Sequence, residues 1–209
     1  MWHSIGRQLR NPTGMGGLLT GSLMRFVNET PNRLAIDALH IGSTDTVLEL
    51  GFGPGHAIKL AAARTSGLVY GVDQSRVMLE QARRRNRTAI REGRVVLHQG
   101  RFDLLPVGDA SVDKILAVNV IYFWRDVQAI AKEVRRVLRP DGRVSIYATD
   151  ASTMQKWKFA SEDTHRLFAA ADLSSTLREG GFDEDEIAVN EVRLTGGIQG
   201  LLATIVNRA

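Results

Sequence analysis

The sequence predicts an α/β protein with a doubly wound, mostly parallel sheet of seven strands and an antiparallel hairpin at its C-terminal edge. Three observations support this fold class. Short apolar segments alternate with segments of helical periodicity between residues 46 and 148, which is typical of right-handed βαβ units. A glycine-rich turn follows the first of these strands. Near the C-terminus, two strand-like segments are separated only by a loop that contains Gly196 and Gly197, as in a hairpin.

The alternating part of the chain is expected to contain five strands and three helices. The strands are predicted at residues 46–50, 68–73, 95–98, 112–118 and 143–148, and the helices at 56–64, 75–91 and 127–138. Ser75 is a candidate N-cap for the second helix, and residues 140–142 have the composition of a turn before the fifth strand. The tail is predicted to contain a helix at 172–179 and strands at 186–194 and 201–206.

Residues 1–40 lie outside this alternation and are interpreted as an N-terminal helical lid on a core at 41–209, all within a single domain. The segment contains a glycine-rich stretch at 14–17, followed by predicted helices around 18–28 and 31–39. Met24, Arg25, Asn28 and Asn32 fall at helix-compatible spacings. Two roles are open for the segment: it packs against the sheet, or it closes over the site with the glycines as hinges.

The composition excludes several kinds of site. The 209 residues include no cysteine, which rules out disulfides, thiolate metal sites and cysteine nucleophiles, and no metal site is expected. No apolar run reaches the roughly 18 residues of a membrane span, and the start lacks the layout of a secretory signal. We therefore expect a soluble cytoplasmic protein, either a monomer or a homodimer.

The net charge of +4 is concentrated in six arginines between residues 83 and 94. A basic cluster is one mark of a protein that binds nucleic acid. The favoured interpretation is a solvated helix face whose arginines lie near the helix C-terminus, because no aromatic side chains are interleaved for base stacking. Nucleic acid is therefore an open but less favoured partner.

The most informative segment is the turn after the first strand, in which Gly51, Gly53 and Gly55 alternate with other residues and Glu49 precedes them. Glycines at such a turn let the backbone bend tightly and let a ligand approach it. A dinucleotide site would favour the pattern G-x-G-x-x-G with a pyrophosphate at a helix N-terminus, and the Glu49 carboxylate would repel that group. A ligand with an ammonium group and no phosphate, such as S-adenosylmethionine, fits the pattern better.

Asp73 ends the second strand, about 20 residues after the glycine turn. An acidic side chain at this place can accept hydrogen bonds from both hydroxyls of a ribose. The alternative is that Asp73 only caps the helix that follows. The combination of a glycine turn with this acid favours a nucleoside ligand.

Five segments, in this order along the chain, resemble the motifs of class I S-adenosylmethionine-dependent methyltransferases, which have a Rossmann-like fold. They are residues 49–55, 71–78, 100–106, 111–119 and 137–143, and a weaker match extends through 177–182. The resemblance is greatest to the small-molecule methyltransferases related to the ubiquinone and menaquinone biosynthesis enzymes. It implies an enzyme that transfers a methyl group from S-adenosylmethionine to a small-molecule acceptor by direct in-line displacement.

The resemblance also implies roles for individual positions. Glu49 lies near the ammonium group of the cofactor, and Asp73 holds the ribose. The remaining cofactor-binding candidates are Gly51, Phe52, Gly53 and Gly55 around the methionine part, Gln74 and Met78 beside the ribose and adenine, Gly100, Arg101 and Phe102 at the adenine, and Asn119 at the methionine part through its backbone. Arg101 stands where the family commonly has an acidic residue that accepts from the adenine amino group, and arginine cannot accept that bond. Backbone groups, stacking under Phe102, or Asp103 are the alternatives.

The acceptor is expected beyond the fourth strand, where residues 119–124 are rich in aromatic side chains. Tyr122 is a catalytic candidate that orients the acceptor, with packing against the following helix as the alternative; packing is favoured for Phe123. His165 is the second catalytic candidate, as a general base, although a lone histidine is more often structural. His56, directly after the glycine turn, is a further side chain that can approach the cofactor.

Other functions stay open on the sequence. An enzyme that methylates RNA or protein would use the arginine cluster to bind its substrate. A nicotinamide-dinucleotide oxidoreductase has less support, because of Glu49 and the glycine spacing. A binding protein that kept the fold without the activity is disfavoured by the complete set of cofactor motifs.

Overall fold

The computed structural model describes residues 28–157 and 166–208, and one seven-stranded sheet forms its centre. The strands are β1 (Val47–Leu50), β2 (Val69–Asp73), β3 (Val95–Gln99), β4 (Val112–Val118), β5 (Leu138–Thr149), β6 (Ile187–Arg193) and β7 (Gln199–Val206). Their spatial order is β3-β2-β1-β4-β5-β7-β6, and β7 is antiparallel to both of its neighbours while the other pairs are parallel. The predicted sheet and its C-terminal hairpin are confirmed.

The helices of the described residues lie before, between and after these strands. They are α1 (Glu29–Leu39), α2 (His56–Ala62), α3 (Arg76–Arg85), α4 (Arg87–Arg91), α5 (Val127–Val137), α6 (Ala151–Met154) and α7 (Ala170–Glu179), and a 3₁₀ turn (Ile121–Phe123) follows β4. The predicted N-cap is confirmed, because Ser75 Oγ accepts from the N–H of Met78 at 3.3 Å. Capping by Ser75 leaves the neighbouring Asp73 available for another role.

Helices bury both faces of the sheet, because successive side chains of a strand point to opposite faces. Val47 of β1 packs in a cluster with α2 and α3, whereas Leu48 beside it packs in a larger cluster with α5 and α7. The buried stripe of α1, which contains Ile36 and Leu39, packs against β4 and β5. With both faces filled by apolar contacts, the carboxyl ends of the strands are the place for a ligand.

The helix predicted at 75–91 is divided at Asn86, which separates α3 from α4. Asn86 has a φ of −104°, and its buried amide donates to the carbonyls of Gly55 and Ala82, both at 2.9 Å. A side chain that bonds to backbone carbonyls competes with regular helical hydrogen bonding. The division thus ties the helix to the glycine turn, a tertiary contact that helical periodicity does not reveal.

The strand predicted from residue 143 begins earlier, at Leu138. The pairing with β4 passes from Val112–Leu138 to Lys114–Arg143, so the residues between Leu138 and Arg143 bulge out of the ladder. The predicted turn residues 140–142 lie in this bulge, where Asp141 has a φ of +61°. The turn-like composition of residues 140–142 therefore indicates a bulge within β5 and does not mark the start of this strand.

No helix in residues 28–157 and 166–208 combines the length and the apolar composition needed to cross a membrane. Most of the predicted lid, residues 1–27, lies outside the described part of the chain. The single-domain organisation and the lid therefore stay predictions, and α1 is the described helix of that segment.

Candidate active site

A cavity opens at the carboxyl ends of β1, β2 and β4, where the sequence predicts the cofactor site. The empty space at this place is about 770 Å³, which includes open solvent at the mouth. The predicted cofactor-binding residues that line it are Glu49, Gly51, Phe52, Gly53, Asp73, Gln74, Met78, Phe102 and Asn119. The other described lining residues are Asn28, Asn32, Pro54, His56, Val118, Val120 and Phe123.

The three glycines of the turn all have positive φ angles, but their surroundings differ. A Cβ at Gly51 (φ +74°) would lie 2.5 Å from Val120 Cγ2, and a Cβ at Gly55 (φ +78°) would lie 2.7 Å from Asn86 Nδ2. A Cβ at Gly53 (φ +49°) would meet no described atom within 4 Å. Gly53 is therefore the position at which the bare backbone faces the cavity, whereas Gly55 packs against α3 and is not among the lining residues.

Asp73 holds the glycine turn in place with both oxygens of its carboxylate. Oδ2 accepts from the N–H of Gly53 and Oδ1 from the N–H of Ser75, each at 2.8 Å. Burial raises the pKa of Asp73 to about 6, although the N–H donors of Ser75 and Gly53 lower it. Each oxygen still has acceptor capacity, so the hydroxyls of a ribose can also donate to this carboxylate.

Glu49 places a second carboxylate in the cavity. The residue is 4% exposed, and its Oε2 has no hydrogen-bond partner among the described residues. Burial, together with the negative charge of Asp73, raises the pKa of Glu49 to about 8, while the N–H of Ile58 lowers it. A buried carboxylate with an unused oxygen next to a second carboxylate suits a cationic ligand, because a positive charge would stabilise both ionised forms.

The predicted adenine end of the cavity is lined by Gln74, Met78 and Phe102, but not by Gly100 or Arg101. The Arg101 side chain is 76% exposed and pairs with Asp103 through two guanidinium nitrogens. The arginine that departs from the family pattern is therefore engaged by a neighbouring carboxylate at the surface. Of the alternatives for the adenine, this geometry favours stacking on Phe102, which is buried and reaches the cavity.

A hydrogen-bond network joins the ends of β4 and β5 beside the cavity. The Tyr122 hydroxyl accepts from the N–H of Thr149 and donates to Asn119 Oδ1 at 2.8 Å. Asn119 has a φ of +52°, and its Nδ2 donates to Asn28 Oδ1 at 2.8 Å. The amide of Asn119 thus connects the two strands to the start of α1.

Tyr122 and Phe123 are placed differently with respect to the cavity. Tyr122 is buried, burial raises its pKa, and it is not among the lining residues. Phe123, for which the sequence favours packing, forms part of the cavity wall. The geometry favours packing for Tyr122 and contact with a ligand for Phe123. The other catalytic candidate, His165, lies outside the described residues.

Asn28 and Asn32 enter the cavity from α1, far from the motifs in sequence. Two signals indicate that these residues belong to the site. One is their helix-compatible spacing, and the other is the position of Asn32 on the buried stripe of Ala35, Ile36 and Leu39. A polar residue on an apolar stripe is expected to face a partner other than the core. Met24 and Arg25, predicted on the same segment, lie outside the described residues.

Comparison with known proteins supports the assignment that the motifs suggest. The methyltransferase-domain family matches residues 48–146, which include Glu49, the glycine turn, Asp73 and Asn119. The methyltransferase YdaC of Bacillus subtilis (strain 168) is 27% identical over 177 residues, which cover 84% of this chain and 92% of YdaC. The demethylmenaquinone methyltransferase of Lactobacillus johnsonii is 32% identical over 133 residues, covering 62% of this chain and 54% of that enzyme.

Solved structures show the same fold. An S-adenosylmethionine-dependent methyltransferase from Aquifex aeolicus superposes with a TM-score of 0.70 at 18% identity, covering 97% of this chain and 98% of that chain. The motifs and the family match both indicate methyl transfer and disfavour the oxidoreductase alternative. Residues 48–146 therefore belong to the methyltransferase-domain family, and the fold is that of class I S-adenosylmethionine-dependent methyltransferases.

Proposed function

We propose that this enzyme transfers a methyl group from S-adenosylmethionine to a small-molecule acceptor by in-line displacement in the cavity between α1, the glycine turn and β4. The observation that carries the proposal is the unpartnered Oε2 of buried Glu49 beside the bare backbone at Gly53. The carboxylate suits the ammonium group of the cofactor, and the bare backbone admits the methionine part. S-adenosylmethionine supplies an activated methyl group on a sulfonium, so the chain's main task is positioning.

The residues at the other end of the cavity support a neutral acceptor. The described lining residues that titrate are Glu49, Asp73 and His56, and the two carboxylates are on the cofactor side. Phe123 and Val118 supply an apolar wall, and the amides of Asn28 and Asn119 supply neutral hydrogen-bonding groups. In this proposal, Phe123 excludes water from the reacting centre and Tyr122 positions the end of β4 through Asn119. His165 keeps its proposed role as a general base for an acceptor that carries a proton at its reacting atom.

The short connection between β5 and α7 favours a small acceptor over a macromolecule. The stretch between the end of β5 and the start of α7 contains about 20 residues, too few for a substrate domain of typical size. RNA is the second candidate acceptor, because Arg83, Arg84, Arg87 and Arg91 are exposed and make no ion pair with a described residue. They lie at the end of α3 and on α4, and none of the four lines the cavity.

The test combines binding with methyl transfer. Calorimetric titration should show binding of S-adenosylhomocysteine and none of NAD. Labelled S-adenosylmethionine is then incubated with the enzyme and a metabolite extract, with total RNA as a parallel acceptor. Label in a low-molecular-weight product supports the proposal. Label found only in RNA would contradict it and make RNA the acceptor. The same preparation gives the oligomeric state by light scattering.

A matched variant connects the result to the cavity. In Gly53→Ala the new Cβ meets no described atom, so the fold should survive with a backbone strain of about 1–2 kcal/mol. The methyl group would occupy space that the cofactor needs, and binding of S-adenosylhomocysteine should fall at least tenfold. Unchanged binding by a folded Gly53→Ala variant would place the cofactor elsewhere.

A further inference from the structure

Asn32 is a buried polar residue on the apolar side of α1. It is 6% exposed and lies one turn before Ala35 and Ile36 on the stripe that packs against the sheet. Its backbone N–H donates to the carbonyl of Asn28, but no described residue bonds to its side-chain amide, and the residue lines the cavity. Because this residue lines the cavity, a ligand group bound there is the natural partner for its amide.

The N-terminus of α1 has lost its own cap. Asn28 stands at the N-cap position, yet its side-chain oxygen accepts from Asn119 Nδ2 and makes no cap hydrogen bond. Pro31 in the first turn has no N–H to offer. Asn28 therefore leaves the positive end of the helix dipole without a side-chain cap at the edge of the cavity. The one acidic side chain of this first turn, Glu29, is paired with Arg33 at 3.2 Å.

The charges that line the cavity match one part of the cofactor and leave another unmatched. Glu49 and Asp73 are both acceptors and suit the ammonium group and the ribose. The methionine part also carries a carboxylate, and no lysine or arginine is among the described lining residues. A carboxylate placed next to Glu49 without donors would be repelled, so neutral N–H donors must offset its charge.

We propose that the side-chain amide of Asn32, with the uncapped N-terminus of α1, binds the carboxylate of the cofactor's methionine part. This inference rests on the proposed location of the cofactor in the cavity. Asn32 and Glu49 then divide the amino-acid group between them: the amide donates to the carboxylate, and the acid accepts from the ammonium group. Asn32 thereby selects a sulfonium nucleoside with a complete amino acid over one that has lost its carboxyl group.

Decarboxylated S-adenosylmethionine tests this directly, because it keeps the sulfonium, the ammonium group and the nucleoside. We expect the wild type to bind S-adenosylmethionine about 10- to 100-fold more tightly than the decarboxylated compound, as for loss of a hydrogen bond to a charged group. In Asn32→Leu, which keeps the side-chain volume and extends the apolar stripe, this preference should shrink to about threefold or less. In Asn32→Asp the preference should reverse, since two carboxylates would meet.

A structural role for Asn32 would give a different pattern. Disturbance of α1 would weaken both ligands equally and leave their ratio unchanged, and that result in a folded variant overturns the inference. Asp37→Asn, at an exposed position in the last turn of α1, is the matched control and should keep the wild-type ratio. Failure of the wild type to bind S-adenosylhomocysteine would instead overturn the location of the cofactor. Normal binding with an unchanged ratio in Asn32→Leu overturns only the role of Asn32.

Discussion

The two sides of the cavity differ in charge and in origin. The side formed by β1, β2 and the glycine turn carries two buried carboxylates whose pKa values are raised, about 8 for Glu49 and about 6 for Asp73. The side formed by α1 and the end of β4 carries asparagine amides and Phe123. In the proposed arrangement, charge on one side selects the ammonium group and the ribose of the cofactor, whereas neutral hydrogen bonds and shape on the other side serve its carboxylate and the acceptor. Variants on the two sides should therefore fail in different ways.

The largest effect is expected on the charged side, at Asp73. In Asp73→Ala the ribose loses a charged acceptor for two hydroxyls, so affinity for S-adenosylhomocysteine should fall about 100-fold or more. The N–H groups of Gly53 and Ser75 also lose their acceptor, which should lower the unfolding free energy by about 1–3 kcal/mol. Calorimetric titration and thermal unfolding measure the two effects. Affinity within threefold of wild type, in a folded variant, would remove Asp73 from the cofactor site.

The next effect is a pH dependence that belongs to Glu49. Its pKa of about 8 lies above the ordinary value of 4.5, so the folded ligand-free protein binds a proton that the unfolded chain releases. This contribution to stability is complete below pH 4.5 and is lost as the pH rises toward 8. A bound ammonium group favours the ionised form, so affinity for the cofactor should rise about tenfold from pH 6 to pH 7, below the range in which an α-amino group deprotonates.

Glu49→Gln should separate these two consequences. The variant should bind S-adenosylhomocysteine about 10-fold more weakly at pH 7.5, and its ligand-free melting temperature at pH 8 should exceed that of wild type, because no buried carboxylate has to ionise. Titration in buffers of different ionisation enthalpy should show proton release on binding in wild type and much less in the variant. Equal proton release in both proteins would assign the coupling to another group.

Apart from Asn32, smaller effects on cofactor binding are expected on the neutral side. Phe123→Ala should keep S-adenosylhomocysteine affinity within about threefold but reduce kcat/KM for the acceptor found in the screen about tenfold, through lost packing. Tyr122→Phe removes a buried hydroxyl that bonds to Thr149 and Asn119, and should lower the unfolding free energy by about 1–2 kcal/mol without changing the shape of the pH–rate profile. A lost pH inflection in Tyr122→Phe would give the hydroxyl a direct part in proton transfer.

The smallest effect on cofactor affinity and stability is expected at Arg101, which is exposed and lies outside the cavity. Its ion pair with Asp103 is exposed, and exposed pairs contribute little. Arg101→Ala should leave S-adenosylhomocysteine affinity within twofold and the melting temperature within about 2 °C of wild type. A tenfold loss of affinity would show that the guanidinium turns inward when adenine is bound.

Elements with strong local signals were predictable from the sequence. Alternating apolar segments determined the order of strands and helices, and the hairpin followed from two strand-like segments around Gly196 and Gly197. Glu49, Gly53 and Asp73 were identified as a group because strand, turn and acid are close in sequence and the residues themselves carry the chemistry. Their placement at one edge follows from parallel pairing, which brings the ends of neighbouring strands together.

The tertiary structure decided what depends on contacts between distant segments. Asn28 and Asn32 reach the cavity only because the apolar stripe of α1 packs on β4 and β5. Gly55 packs against Ala82 of α3 and against Asn86. Arg101 lies outside the cavity, where it pairs with Asp103. Phe123 lies at the cavity wall and Tyr122 does not, because the turn after β4 directs the Phe123 ring into the cavity and buries the Tyr122 ring. Periodicity assigns residues to faces, but which neighbour fills the space beside each face is determined by packing of the whole chain.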